Sequence, residues 1–346
     1  MLYEKNNLMG HNVWIDLINS RLCFLSVIFT LIFLVSLSAC AYEKIGFLDK
    51  GLSFFKEGLY EEAVEEFEHA VTVNPDDWKG HFYLAESLYS LGKYDRAIIE
   101  YKHAITCYGE PSVKLHNKLG DTYLALGQYE HARDEYLLVL SMDMNSEEAH
   151  CNLGCVYQHF NLMDKAAEEF KETIRINPEN YLVYNNLAIT LANCGKTGEA
   201  IQYLNKAVAL NSSYSDAYYN LGNIYSMEKD YINAINAYQK ALDLSPGNYK
   251  ILCNLGTSYY KLKDSSSAIM CWEEAIKINA GDKLILYNLS QAYYSKGDLD
   301  KAIKNLEEVI YIDPSFKSAY WELGYYYLYK GQIKGAFTMW YKGIFQ

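Results

Sequence analysis

Cys151, Cys155 and His159 stand at i, i+4 and i+8, and three soft ligands on one helical stripe are the raw material of a zinc site. At 3.6 residues per turn, however, such a stripe drifts by about 40° per step, and a straight helix cannot wrap a tetrahedral ion. We therefore expect packing here, with no metal and no cofactor. Cys107, Cys194, Cys253 and Cys271 add no C-x-x-C pair to these. The sequence also lacks a Ser/His/Asp set, a Gly-rich phosphate loop and paired carboxylates, so catalysis is not expected. A more regular set is Asn152, Asn186, Asn220, Asn254 and Asn288, one every 34 residues. A carboxamide both donates and accepts, so a row of them can pair with an extended backbone of any sequence.

That spacing belongs to the whole chain. Ala63, Ala97, Ala132, Ala166, Ala200, Ala234, Ala268, Ala302 and Ala336 recur at steps of 34 residues, with one step of 35 into Ala132. Four residues after each comes a large apolar residue, among them Phe67, Tyr101, Phe170, Tyr238, Trp272 and Trp340. Twelve before each stands a small one, such as Gly51, Ala85, Gly120, Gly222 or Gly256, and three after that an aromatic or Leu. These are i, i+3, i+4 and i+7 spacings, which predict two amphipathic helices per unit. The five prolines (Pro75, Pro111, Pro178, Pro246 and Pro314) all fall between one unit and the next, where a helix breaker does no harm. His81, His116 and His150 share the fourth position of their units with Tyr and Leu elsewhere, and read as packing residues.

The pattern resembles the tetratricopeptide repeat, a 34-residue helix–turn–helix unit. It covers residues 44–346, in nine units starting near 44, 78, 113, 147, 181, 215, 249, 283 and 317. The resemblance implies an all-α, right-handed superhelical solenoid whose first helices line a concave groove, chiefly through positions 2, 5, 6, 9, 12 and 13 of each unit. The five asparagines occupy position 6. They resemble the asparagine ladder in the repeat domain of the transferase that attaches N-acetylglucosamine to serine and threonine. Toward the C-terminus the groove positions become aromatic, with Tyr219, Tyr260, Tyr287, Tyr294, Trp321, Tyr325 and Tyr329. A net hydrogen bond contributes about 0.5–1.5 kcal/mol, and ordering a flexible segment costs about 2–5 kcal/mol. Five rungs roughly offset that cost, so the aromatic groups must supply the affinity. The carboxylate clamp of chaperone-binding relatives is missing: position 5 holds Leu48, Phe82, Asn117, Cys151 and later residues, never Lys.

Residues 1–39 read differently. Leu22 to Ala39 is apolar behind Arg21, which suits an export signal and is also long enough for a single membrane span. Leu37-Ser38-Ala39-Cys40 resembles the lipobox of bacterial lipoproteins, which implies lipidation of Cys40 and a short tether at 40–43. A start at Met9 would give a signal of more ordinary length. Both readings place the repeats beside a membrane, on the periplasmic or extracellular face for the lipoprotein. The formal net charge of −12 disfavours nucleic acid as a partner. The expected function is a non-catalytic adaptor that binds an extended polypeptide, with a substrate-presenting subunit of a transferase or hydrolase complex as the alternative. At the C-terminal end, Trp340, Ile344 and Phe345 are expected to leave apolar surface, where a second subunit pairs or the end frays.

Overall fold

The computed structural model describes residues 46–345, and every regular element in that range is helical. The first helices of the nine units run 46–57, Trp78–Ser90, Val113–Ala125, Glu147–His159, Tyr181–Asn193, Ser215–Met227, Tyr249–Lys261, Lys283–Lys296 and Lys317–Tyr329. The second helices run Tyr60–Val73, Tyr94–Tyr108, Tyr129–Met142, Met163–Ile176, Thr197–Leu210, Tyr231–Leu244, Ser265–Ile278, Leu299–Ile312 and Ile333–Phe345. All five prolines lie in the turns between repeats. The step of 35 is explained at one of these turns. Tyr94–Tyr108 is 15 residues long where most of its counterparts have 14, and it ends on Gly109 in the left-handed conformation, φ 75°.

Two kinds of turn punctuate the repeats. Between repeats, an Asp, Asn or Ser caps several first helices: Asp77 accepts from the Lys79 N–H at 3.1 Å and Asn248 from Lys250 at 3.1 Å. Such caps satisfy N–H groups that the helix itself leaves unpaired. Within repeats, position 15 is always left-handed. Six of the nine are glycine, including Gly58, Gly92 and Gly297, and three are Asn161, Lys229 and Lys263 at φ 57°, 60° and 67°.

The chain forms two compact units, divided after Val156. In the first unit the core is built from Ala63, Phe67, Ala97, Tyr101, Ala132 and Tyr136, all fully buried. The alanine lets the two helices of a repeat meet, and the large residue four later fills the space beside the small residue of the first helix. In the second unit the same layout recurs. One cluster joins Ala234, Tyr238, Ile251 and Leu255. Another continues through Ala268, Trp272, Ile285, Leu289, Ala302, Leu306, Ala319 and Leu323. Gly256 shows how close the approach is, since a Cβ built there would lie 2.7 Å from Nε1 of Trp272. No described helix is long and apolar enough to cross a membrane. The apolar stretch 22–39 and Cys40 lie outside the described residues.

Candidate peptide-binding groove

The buried tyrosines at position 24 need partners for their hydroxyls, and the first helices supply them at position 9. Tyr136 donates to Asp121 at 2.8 Å, Tyr238 donates to Asn223 at 2.8 Å, and Tyr101 donates to Glu86. Burial pushes the Tyr101 and Tyr136 phenols well above their ordinary range, with the adjoining carboxylates adding to the effect. Where position 24 is Phe170 or Leu204, position 9 is Cys155 or Ile189, with no acceptor needed. In these five repeats the two positions vary together.

The asparagines at position 6 join this network. In the first unit, Asn152 Nδ2 donates to Asp121 Oδ1 at 2.8 Å. In the second unit, Asn220 donates to Asn185 Oδ1 at 2.8 Å, and Asn254 donates to Asn223 Oδ1 at 3.0 Å and to the Tyr219 hydroxyl at 3.1 Å. Asn186 Oδ1 accepts from Asn185 at 3.5 Å, and Asn288 is half-buried without a side-chain hydrogen bond among the described residues. Three of the five amides therefore tie a repeat to the one before it. The sequence reading treated them as rungs for a ligand and did not foresee this use. For Asn152 and Asn254 the position 24–position 9 pairing was the signal that pointed to it; Asn220 bonds to position 5 instead.

Four of the aromatic residues, Tyr219, Tyr260, Tyr287 and Tyr294, are half-buried like the asparagines. Tyr260 reaches the Ser295 hydroxyl at 3.1 Å and lies against Trp272. Tyr294 stacks on Tyr326 with ring centres 4.5 Å apart. Tyr287 donates to Glu322 Oε1 at 2.6 Å, and Gln291 donates to the same oxygen at 3.0 Å. Burial, followed by the hydrogen bond to Glu322, raises the Tyr287 phenol above its usual range. Glu322 Oε2 is buried with no partner. Beside it, Trp321, Tyr325 and Tyr329 are 49%, 59% and 74% exposed. Trp321, Glu322, Tyr325 and Trp340 line a shallow cavity of about 460 Å³.

The cysteine stripe is not brought round an ion. The Cys151 thiol is hydrogen-bonded to Cys155, which holds the Cys151 thiol up and the Cys155 thiol down, and His159 lies at the exposed end of its helix. Among the described residues no three His, Cys, Asp or Glu side chains are grouped to hold a metal.

Models of the tetratricopeptide repeat match residues 48–110, 113–145, 147–180, 169–202, 215–248 and 249–282, and a TPR repeat model matches 190–229 and 290–331. Among solved structures, the chain is similar to a tetratricopeptide repeat protein from Parabacteroides merdae, at 17% identity. That match covers 72% of this chain and 99% of the other, with a TM-score of 0.58. It is similar also to the C-terminal part of a TPR repeat-containing protein from Cytophaga hutchinsonii, at 20% identity over 69% of this chain and 97% of the other, TM-score 0.58. A third is YrrB, described as a TPR protein with an unusual peptide-binding site. It is 30% identical over 51% of this chain and 92% of its own, TM-score 0.48. No curated protein matches the sequence. From the first turn of the first helix to the middle of the ninth repeat these matches follow the helix pairs, and the chain belongs to the tetratricopeptide-repeat family.

Proposed function

We propose that this chain is a non-catalytic scaffold, held at a membrane by its N-terminal segment, that binds an extended and partly apolar polypeptide along the repeats of its second unit. The observation that carries this reading is the row Trp321, Tyr325 and Tyr329, exposed at i, i+4 and i+8 on one first helix. Burying aromatic groups against a ligand supplies about 1.5–3 kcal/mol each, which is more than the remaining asparagine donors can add. Repeat stacks are suited to this task, since their successive first helices form a continuous binding surface.

The test is a crosslinking pull-down from membranes, comparing the native chain with Tyr287→Ala/Trp321→Ala. We expect a protein partner with the native chain and its loss with the double variant; retention of the partner would place binding elsewhere on the surface. A transferase or hydrolase activity carried with the partner would turn the scaffold into a substrate-presenting subunit. Anchoring is tested separately. Cys40→Ser should abolish acyl labelling, and unchanged labelling would rule out lipidation at Cys40.

A further inference from the structure

Position 4 carries a His, Tyr or Phe in seven of the nine repeats, and the exceptions are Leu252 and Leu286. Five of these rings lie against position 23 or 26 on the second helix of their own repeat. Phe47 meets His69 with ring centres 5.3 Å apart, and His81 meets Glu100 at 2.7 Å and stacks on His103. His116 meets Glu135 at 2.7 Å, Tyr184 lies beside Tyr203, and the Lys240 ammonium stands 5.6 Å over Tyr218. In the eighth repeat the two corresponding residues, Asn305 and Glu308, face no ring. They line a cavity of about 380 Å³ instead, together with Leu286, Leu289, Tyr293 and Ile276. A ring is missing from a place that the rest of the molecule fills.

The filled repeats show what chemistry fits. The His81 ring N–H donates to the Pro75 carbonyl at 2.8 Å, and the Tyr184 hydroxyl donates to the Pro178 carbonyl at 3.1 Å. A buried ring with a polar hydrogen needs such an acceptor. Asn305 can supply one here: it gives an amide N–H to the Lys301 carbonyl at 2.8 Å, which leaves its own oxygen for a donor. The histidines of the second and third repeats face a carboxylate at position 23, whereas Asn305 is neutral, a setting that suits a phenol better than an imidazolium. Leu286, Leu289 and Tyr293 are buried and form the floor. Tyr293 is held by its hydrogen bond to Glu273 and by the Lys301 ammonium 4.9 Å over its ring. Glu273, Lys301, Lys304 and Glu308 are exposed around the mouth, two charges of each sign.

We propose that this cavity, between the second helices of the seventh and eighth repeats, receives a tyrosine side chain of a partner polypeptide. The tyrosine takes the place of the ring that position 4 supplies elsewhere. Leucine or phenylalanine would cover the floor but leave the Asn305 oxygen without a donor. The charged mouth lets the backbone that carries the ring stay in water, so the cavity fits a side chain on a chain better than a free aromatic molecule. The site is separate from the groove, because neither Tyr287 nor the Trp321, Tyr325 and Tyr329 row contributes to its lining.

The probe is the pentapeptide acetyl-Ala-Ala-Tyr-Ala-Ala-amide, titrated by ligand-observed NMR against the full chain in neutral-lipid nanodiscs, with empty nanodiscs as the blank. Peptides with Phe or Leu at the centre, and free p-cresol, are compared. We expect saturable binding of the tyrosine peptide that weakens roughly tenfold or more with Leu286→Tyr, which fills the cavity from inside. Tyr184 and Tyr218 occupy the same position in their repeats, so this variant should keep the native helical spectrum. Asn305→Leu should erase the preference for the tyrosine peptide over the phenylalanine one, and Tyr287→Ala/Trp321→Ala should leave binding unchanged. Absence of binding, binding that survives Leu286→Tyr, or binding lost with Tyr287→Ala/Trp321→Ala would overturn the proposal. So would equal affinity of the native chain for all three peptides, or tighter binding of p-cresol than of the tyrosine peptide, which would assign the cavity to a free phenol.

Discussion

Cys253 and Cys271 show how one residue type takes different chemistry from its surroundings. Burial pushes both thiols up to about 11, with Asp282 adding to the effect at Cys253 and Glu274 at Cys271. Cys194 is exposed. At pH 8 a thiol of pKa 11 is thiolate in about one molecule in a thousand. We predict that a maleimide at pH 8 modifies native Cys194 well before Cys253 and Cys271, which lag by roughly a hundredfold. Their rates should rise about tenfold per pH unit until the thiols ionise near 11. Comparable rates at all three sites, read by peptide mass mapping, would show that burial does not protect them. Protection of this kind is what lets reduced cysteines persist in a chain proposed to work outside the cytoplasm.

At the scale of the helix pair, the left-handed turn is the point of weakness. Gly adopts φ > 0 at little cost, while an L-residue pays about 1–2 kcal/mol. Lys263 occupies, at φ 67°, the place that Gly297 and Gly331 hold in the next two repeats. Lys263→Gly should therefore stabilise the second unit by about 0.5–1 kcal/mol, after the larger entropy of an unfolded glycine is subtracted. A higher midpoint in urea unfolding checks it; an unchanged or lower midpoint would mean that the lysine side chain compensates locally. Much of the helix pair was legible in advance, because Ala63 and its eight counterparts recur with the fold's own period and Pro75 to Pro314 mark its breaks. The turn was less so, since Asn161, Lys229 and Lys263 hide a conformation that glycine would have announced. The candidate groove was legible in position but not in use. Asn254 lies where the repeat register puts it, yet its amide is spent on Tyr219 and Asn223, a contact between residues 31 and 35 apart. Only the acceptor at position 9, present under Tyr136 and Tyr238 and absent under Leu204, carried that information in the sequence.

For the whole molecule, the two termini are unlike. The first repeat places Lys50 where its successors place leucine, and the ninth leaves aromatic and lysine side chains on its outer face. Each terminal property rests on a few side chains within one repeat, while the repeats between them share a common register. This separation has a consequence for inheritance. Excising or duplicating the 34 residues from one alanine to the next, for example Ala234 to Ala268, alters neither Lys50 nor Phe337. A gene built this way can change its copy number, and with it the number of first helices in the row, while the first and ninth repeats keep their own side chains.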